Sequence, residues 1–319
     1  MKNFFKNTGK IFKQSFNEFG DYKITSLSAA LAYYTIFSIA PMLIIIINLC
    51  DIFFGRTAVE GRIYGEIKSF VGQDAAIQIQ TIIRNAAISG DNVWATTIGI
   101  IALVFAATGV FAEIQSSINL IWNLKAKPKK GFMKIVVNRL ASFSMIITLG
   151  FISLVSLVLN ALLDGLSERL VHFFPKITVY VIYGINLALT FAAITFLFAI
   201  IFKVLPDAKI QWKDVWMGAF TTAILFMAGK FAISFYLSKT KVASTYGAAG
   251  STIIILLWVY YSSIILYFGA AFTKAYAQFT GRHIYPNDYA VFIQQIEKES
   301  KQSLQAQPEQ PKTVIEEKK

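Results

Sequence analysis

The stretch VYVIYGINLALTFAAITFLFAIIF, Val179 to Phe202, runs for 24 residues without a charged side chain. About 20 apolar residues in a helix cross a hydrocarbon core, because a helix bonds its own backbone groups where no water can do so. This run is read as a membrane span. Runs of the same kind recur at Leu27 to Asp51, Val93 to Ala112, Leu140 to Leu163, Val215 to Leu237 and Ser251 to Tyr276. The pattern predicts an all-α fold, a polytopic membrane helix bundle of about six transmembrane helices.

Composition agrees. The chain is 55% hydrophobic and 15% charged, with a mean hydropathy of +0.56, whereas a soluble domain carries about 25% charged residues. A net charge of +12 is also compatible with nucleic-acid binding, but the basic residues flank the apolar blocks, as cytoplasmic loops do. No nucleic-acid partner is expected. With the N-terminus inside, the inner connections hold Lys2, Lys6, Lys10, Lys13 and Lys23, then Lys125 through Arg139, then Lys203, Lys209 and Lys213. The outer ones are poorer or offset by acids, so the bundle is read as N-in and C-in. The basic run Lys125 to Lys134 is expected to face anionic lipid headgroups.

Three regions follow. Residues 1–26 are basic and amphipathic, with Phe4, Phe5, Ile11, Phe12, Phe16 and Phe19 among the lysines; they lack the continuous apolar core of a secretory signal and are read as a surface-lying cytoplasmic helix. Residues 27–285 form the six-span membrane domain. Within it, about 56–90 is too polar to span, yet Val59, Ile63, Ile67 and Phe70, then Ile79, Ile82 and Ile83, recur at helical spacing, which suggests amphipathic helices on the extracytoplasmic face. Residues 286–319 are read as a cytoplasmic tail, largely disordered because its Lys, Glu, Gln and Pro cannot bury enough apolar surface.

The chemistry-bearing residues are sparse. Cys50 is the only cysteine, and His172 and His283 lie far apart, so neither a disulfide framework nor a metal-ligand cluster follows from spacing. No paired-carboxylate or phosphate-cradling glycine pattern appears. Metal ions, cofactors and enzymatic activity are not expected.

Charges inside spans are costly and default to functional hypotheses. Glu113 follows a stretch already long enough to cross, which places it and the second half of its helix at the inner interface. Lys230 is around two turns from the outer end of the fifth span, near enough to snorkel. The two sit toward opposite faces, which disfavours a direct ion pair. In the first span Pro41 removes a backbone donor and is expected to kink the helix. Tyr33, Tyr34 and Ser38 beside it can line a polar cavity at a broken helix, or serve as ordinary interhelical hydrogen-bonding groups. Tyr246, Gly247 and Gly250 allow close backbone approach at the start of the sixth span, for packing or for permeation.

Four stretches together resemble the YihY/BrkB family of bacterial inner-membrane proteins, for which an older label is ribonuclease BN. They are SLSAALAYYTIFSIAPML, residues 26–43; GVFAEIQSSINLIWN, residues 109–123, with Asn119 and Trp122; LPDAKIQWKDVWMGA, residues 205–219, with Pro206, Asp207, Trp212, Asp214 and Gly218; and YGAAGSTIIILLWVYYSSIILYFGA, residues 246–270. The resemblance covers roughly residues 16–282. One departure stands out: relatives commonly place an acidic residue after the pair matching Gly269 and Ala270, where this chain has Ala271. The resemblance implies a multi-pass protein of the bacterial cytoplasmic membrane without an agreed biochemical activity. A nuclease would need metal ligands this sequence lacks.

Two readings of function remain. The first is a transporter or permease for a small solute, ion or lipid, passing through a bundle with a proline-broken first span beside a glycine-rich sixth. The alternative is an envelope scaffold whose outer segment, around 57–87, docks a partner.

Overall fold

The computed structural model describes residues 2–54, 61, 64–65, 76–77, 80, 93–127, 175–239 and 250–294. They contain six long helices, α1 Lys2–Asp21, α2 Ile24–Phe54, α3 Val93–Ile121, α4 Pro175–Val204, α5 Trp212–Lys239 and α6 Gly250–Phe279. Five of the six expected spans coincide with α2 to α6. The expected third span and nearly all of the amphipathic segment at 56–90 lie outside the described residues. Leu187–Val204, Trp212–Ile233 and Thr252–Phe279 are each long and apolar enough to cross a membrane, and Ile24–Ile39 is a shorter apolar helix.

The helix ends follow local chemistry. Pro175 opens α4, where a missing N–H costs nothing. Lys23, with a φ of 49°, and Asn123, with a φ of 58°, take the left-handed conformation that separates α1 from α2 and closes α3. Gly281, with a φ of 70°, closes α6: the Arg282 N–H reaches back to the Ala277 carbonyl at 2.9 Å, the six-to-one bond of a glycine-terminated helix.

Four short strands gather at one end of the bundle, β1 Leu124–Ala126, β2 Ala208–Lys209, β3 Tyr285–Pro286 and β4 Ala290–Phe292. β1 pairs antiparallel with β4, with Leu124 opposite Phe292, and β2 pairs antiparallel with β3, with Ala208 opposite Pro286. The connections after α3, between α4 and α5, and after α6 therefore meet. α3, α4 and α6 end there, and α5 begins there.

In cross-section α2 packs against both α3 and α6, α6 packs against α5, and α5 packs against α4. Among the residues whose burial is described, the enclosed side chains gather toward the strands, with Ile24, Ile118, Trp122, Phe202, Val215 and Tyr267 almost wholly buried. Phe37, Phe105, Phe196, Phe220 and Phe231 are exposed, which suits a surface bathed in acyl chains.

α1 is the expected amphipathic helix, and it docks on protein. Its Phe12 ring lies 5.1 Å from Phe272 and its Phe16 ring 5.1 Å from Phe268, both on α6, while Lys10 and Lys13 face outward. The domain boundary expected at 285/286 falls inside β3, and residues 287–294 are ordered by strand pairing and backbone bonds such as Asn287 N–H to Asp207 O, 3.0 Å.

Candidate functional site

α3 presents polar groups on two sides. Along one ridge stand Gly109, Glu113 and Ser117, four residues apart. A Cβ at Gly109 would sit 3.4 Å from Ser38 Oγ, so α2 brings a hydroxyl to ordinary contact distance of α3. One turn on, the Ser117 hydroxyl donates to Glu113 Oε1 at 3.3 Å. The Tyr267 hydroxyl from α6 lies beside Ser117 and Glu113; it is buried and, among the described residues, has no hydrogen-bond partner at full geometry. A carboxylate, three hydroxyls and a glycine thus line the seam of α2, α3 and α6.

The other side of α3 holds a buried carboxylate. Asp207, in the turn before β2, is 2% exposed. Gln115 Nε2 donates to its Oδ1 at 3.0 Å and Asn119 Nδ2 to its Oδ2 at 2.8 Å, while its own N–H donates to Asn119 Oδ1 at 2.9 Å. Three hydrogen bonds satisfy groups that would otherwise make burial prohibitive. Nearby, burial and then the Asp207 charge hold the Tyr289 phenol above its ordinary value.

A second polar cluster joins α1, α3 and α6. The Lys274 ammonium, almost fully buried, donates to the Ile121 carbonyl at 2.8 Å and to the Tyr22 hydroxyl at 2.9 Å, and lies 3.4 Å from Glu18 Oε2. Tyr22 in turn donates to Asn123 Oδ1 at 2.7 Å. Burial pushes the Glu18 carboxyl above its ordinary value, and the Lys274 charge opposes that shift. Beside this cluster Trp122 Nε1 donates to the Ala270 carbonyl at 2.9 Å. At the start of α5, Asp214, 2% exposed, receives Arg282 through two guanidinium nitrogens at 2.7 and 2.9 Å; an acid in the first turn also suits the helix dipole.

The sequence-derived candidates separate. Ser38 and Asn119 are buried in the bundle, and Glu113 is half-buried. Tyr33 and Tyr34 are not: they are 62% and 45% exposed, with the Tyr33 ring tilted against Phe37 at 4.9 Å, so they do not line a cavity with Ser38. α2 runs unbroken through Pro41, which corrects the expected broken helix; membrane helices tolerate proline where neighbouring helices and hydroxyls support the freed backbone groups. The second half of α3 is likewise not a peripheral segment. Phe111, Ile114, Ile118 and Trp122 are buried among neighbouring helices, because the apolar stripe continues past Ala112.

Lys230 is half-exposed on α5. By helix rise it stands about 15 Å farther from the strand end than Glu113, so the two do not pair. Gly250 is buried at the first position of α6, and Tyr246 and Gly247 lie outside the described residues. Lys274 escaped sequence reasoning although the signal was present, a lone cation inside an apolar helix. Among the described residues no three potential metal ligands cluster.

The virulence factor BrkB family model matches residues 15–288 of the chain. A UPF0761 membrane protein of Alteromonas mediterranea is 25% identical over 279 residues, which cover 86% of this chain and 91% of that protein. Another from Haemophilus influenzae is 26% identical over 273 residues, 83% of this chain and 93% of its own. A third, from Pseudoalteromonas atlantica, is 27% identical over 262 residues, 78% and 80%. No solved structure matches.

Proposed function

The chain belongs to the virulence factor BrkB family of membrane proteins, and from that premise we propose that it is a multi-pass transporter or permease of a bacterial cytoplasmic membrane. Its cargo is a small solute, ion or lipid, and it moves that cargo without a chemical step. Both ends face the cytoplasm. Exposed Lys125 on β1 and Lys127 just after it begin the basic run that rests on anionic headgroups.

What supports the reading is the seam of α2, α3 and α6. An acidic group within an apolar helix is expensive and is retained where it contacts a pathway or partner. Glu113 meets that description, with Ser38, Ser117 and Tyr267 around it. Pro41 no longer carries the argument, since α2 is continuous.

Thiol accessibility tests it. In a Cys50→Ser background, Ser38→Cys and Ser117→Cys should react with a water-soluble, membrane-impermeant thiol reagent, because a pathway admits water. Cysteines that stay unreactive in both positions would mean a dry seam. That result would favour the scaffold reading, in which the segment around 57–87, nearly all of it outside the described residues, docks a partner.

A further inference from the structure

A cavity of about 300 Å³ opens at the strand end of α6, lined among others by Trp122, Asn123, Lys274, Gln278, His283 and Tyr285. It is separate from the seam that holds Glu113. We propose that it binds a small organic anion, a carboxylate or phosphate group carried on a flat apolar body.

Two amides in its wall are held in one orientation each. Tyr22 OH accepts from the Lys274 ammonium, so its own proton goes to Asn123, whose Oδ1 accepts it at 2.7 Å. An ammonium cannot accept a proton back, so this order is fixed, and the Asn123 oxygen is committed behind the wall. Its NH2 group is left for the cavity. Gln278 is fixed in the same way from α1. The Gln14 amide nitrogen donates to Glu18 Oε1 at 3.3 Å and to Gln278 Oε1 at 2.8 Å, and a carboxylate requires that nitrogen to face it. The Gln278 NH2 group therefore also remains.

Neither amide nitrogen has a partner among the described residues. His283 adds an imidazole, which always carries at least one N–H. No carboxylate lines the cavity. The wall thus presents donors with no competing acid, and hydrogen bonds to an ionised acceptor are the strong ones.

The apolar half of the ligand follows from the remaining walls. Trp122 spends its N–H on the Ala270 carbonyl and contributes ring surface, and Tyr285 sits against His283 with ring centroids 6.3 Å apart. Aromatic walls with a few convergent polar groups are the usual make-up of small-molecule sites. Free organic anions and anionic lipid headgroups share this chemistry.

The test uses the full chain purified in detergent, with phenyl phosphate and benzoate as probes and benzyl alcohol as the neutral control. Thermal unfolding should shift upward and saturably with either anion, as ligand linkage requires, and not with benzyl alcohol. The double variant Gln278→Leu/His283→Leu changes two exposed side chains and should keep the unliganded midpoint while weakening the anions roughly tenfold or more. Nanodiscs with and without phosphatidylglycerol separate the sources. Phenyl phosphate displaced only in the phosphatidylglycerol discs would support a headgroup as the occupant, and equal binding in both would support a free anion. No saturable shift, a shift shared by benzyl alcohol, or unchanged affinity in the double variant would overturn the proposal.

Discussion

Gly218 of α5 faces Thr273 of α6 so closely that a Cβ on the glycine would fall 1.8 Å from Thr273 Oγ1. The relation is reciprocal, since a Cβ on Gly269 would fall 2.0 Å from Thr222 Oγ1. Each threonine turns its hydroxyl back to the carbonyl four residues earlier, Thr222 to Gly218 and Thr273 to Gly269, both at 2.7 Å. Two antiparallel helices are thereby locked by paired knobs and gaps, the small-residue packing that serves where no hydrophobic force joins helices in lipid.

Gly218→Ala and Gly269→Ala should each destabilise the chain by about 1–3 kcal/mol, the usual cost of overpacking. Thr222→Ala should recover part of the Gly269→Ala loss and none of the Gly218→Ala loss. Thermal melting in detergent, run as a double-mutant cycle, checks the coupling; additive effects would show that the contact is not shared.

Asn119→Ala should cost about 2–4 kcal/mol, since it leaves both the Asp207 N–H and one carboxylate oxygen buried without their partner. Asn119→Ala paired with Asp207→Ala should cost less than the sum of the two single changes. Melting midpoints of the four proteins decide it.

Glu18 carries a pH dependence of definite sign. Its carboxyl is held above its ordinary value of 4.5 by burial, so the folded chain binds that proton more tightly than the unfolded chain. Its contribution is therefore full below pH 4.5 and is lost as pH rises toward the folded value. Glu18→Gln should flatten stability across that window; a profile unchanged from wild type would contradict the assignment.

Much of the architecture was legible because lipid imposes a length rule: the runs that became α2, α4, α5 and α6 read directly as spans. The expected second span ends at Ala112, whereas its helix continues to Ile121. Gln115 and Asn119 look like surface residues when only their own helix is in view, and their partner Asp207 enters from 88 and 92 residues along the chain. The strand pairs were invisible for a similar reason. Two or three residues carry no usable periodicity, and Leu124 finds Phe292 only once α3 and α6 end together. Of the candidate site, Glu113 and Ser38 were legible as polar groups in apolar helices, whereas Tyr33 and Tyr34 were assigned to the interior although they face outward. A single span does not reveal which face its neighbours cover.

Transport through the seam around Glu113 is the proposed function. Its most direct measurement is solute and ion flux into vesicles reconstituted with the purified chain, compared with Glu113→Gln vesicles containing equal folded protein. Vesicles with the wild-type chain should pass at least one small solute, ion or lipid, and Glu113→Gln should reduce that flux markedly while the melting midpoint is retained. Vesicles that pass nothing above the protein-free background, or that pass cargo equally well with Glu113→Gln, would contradict it.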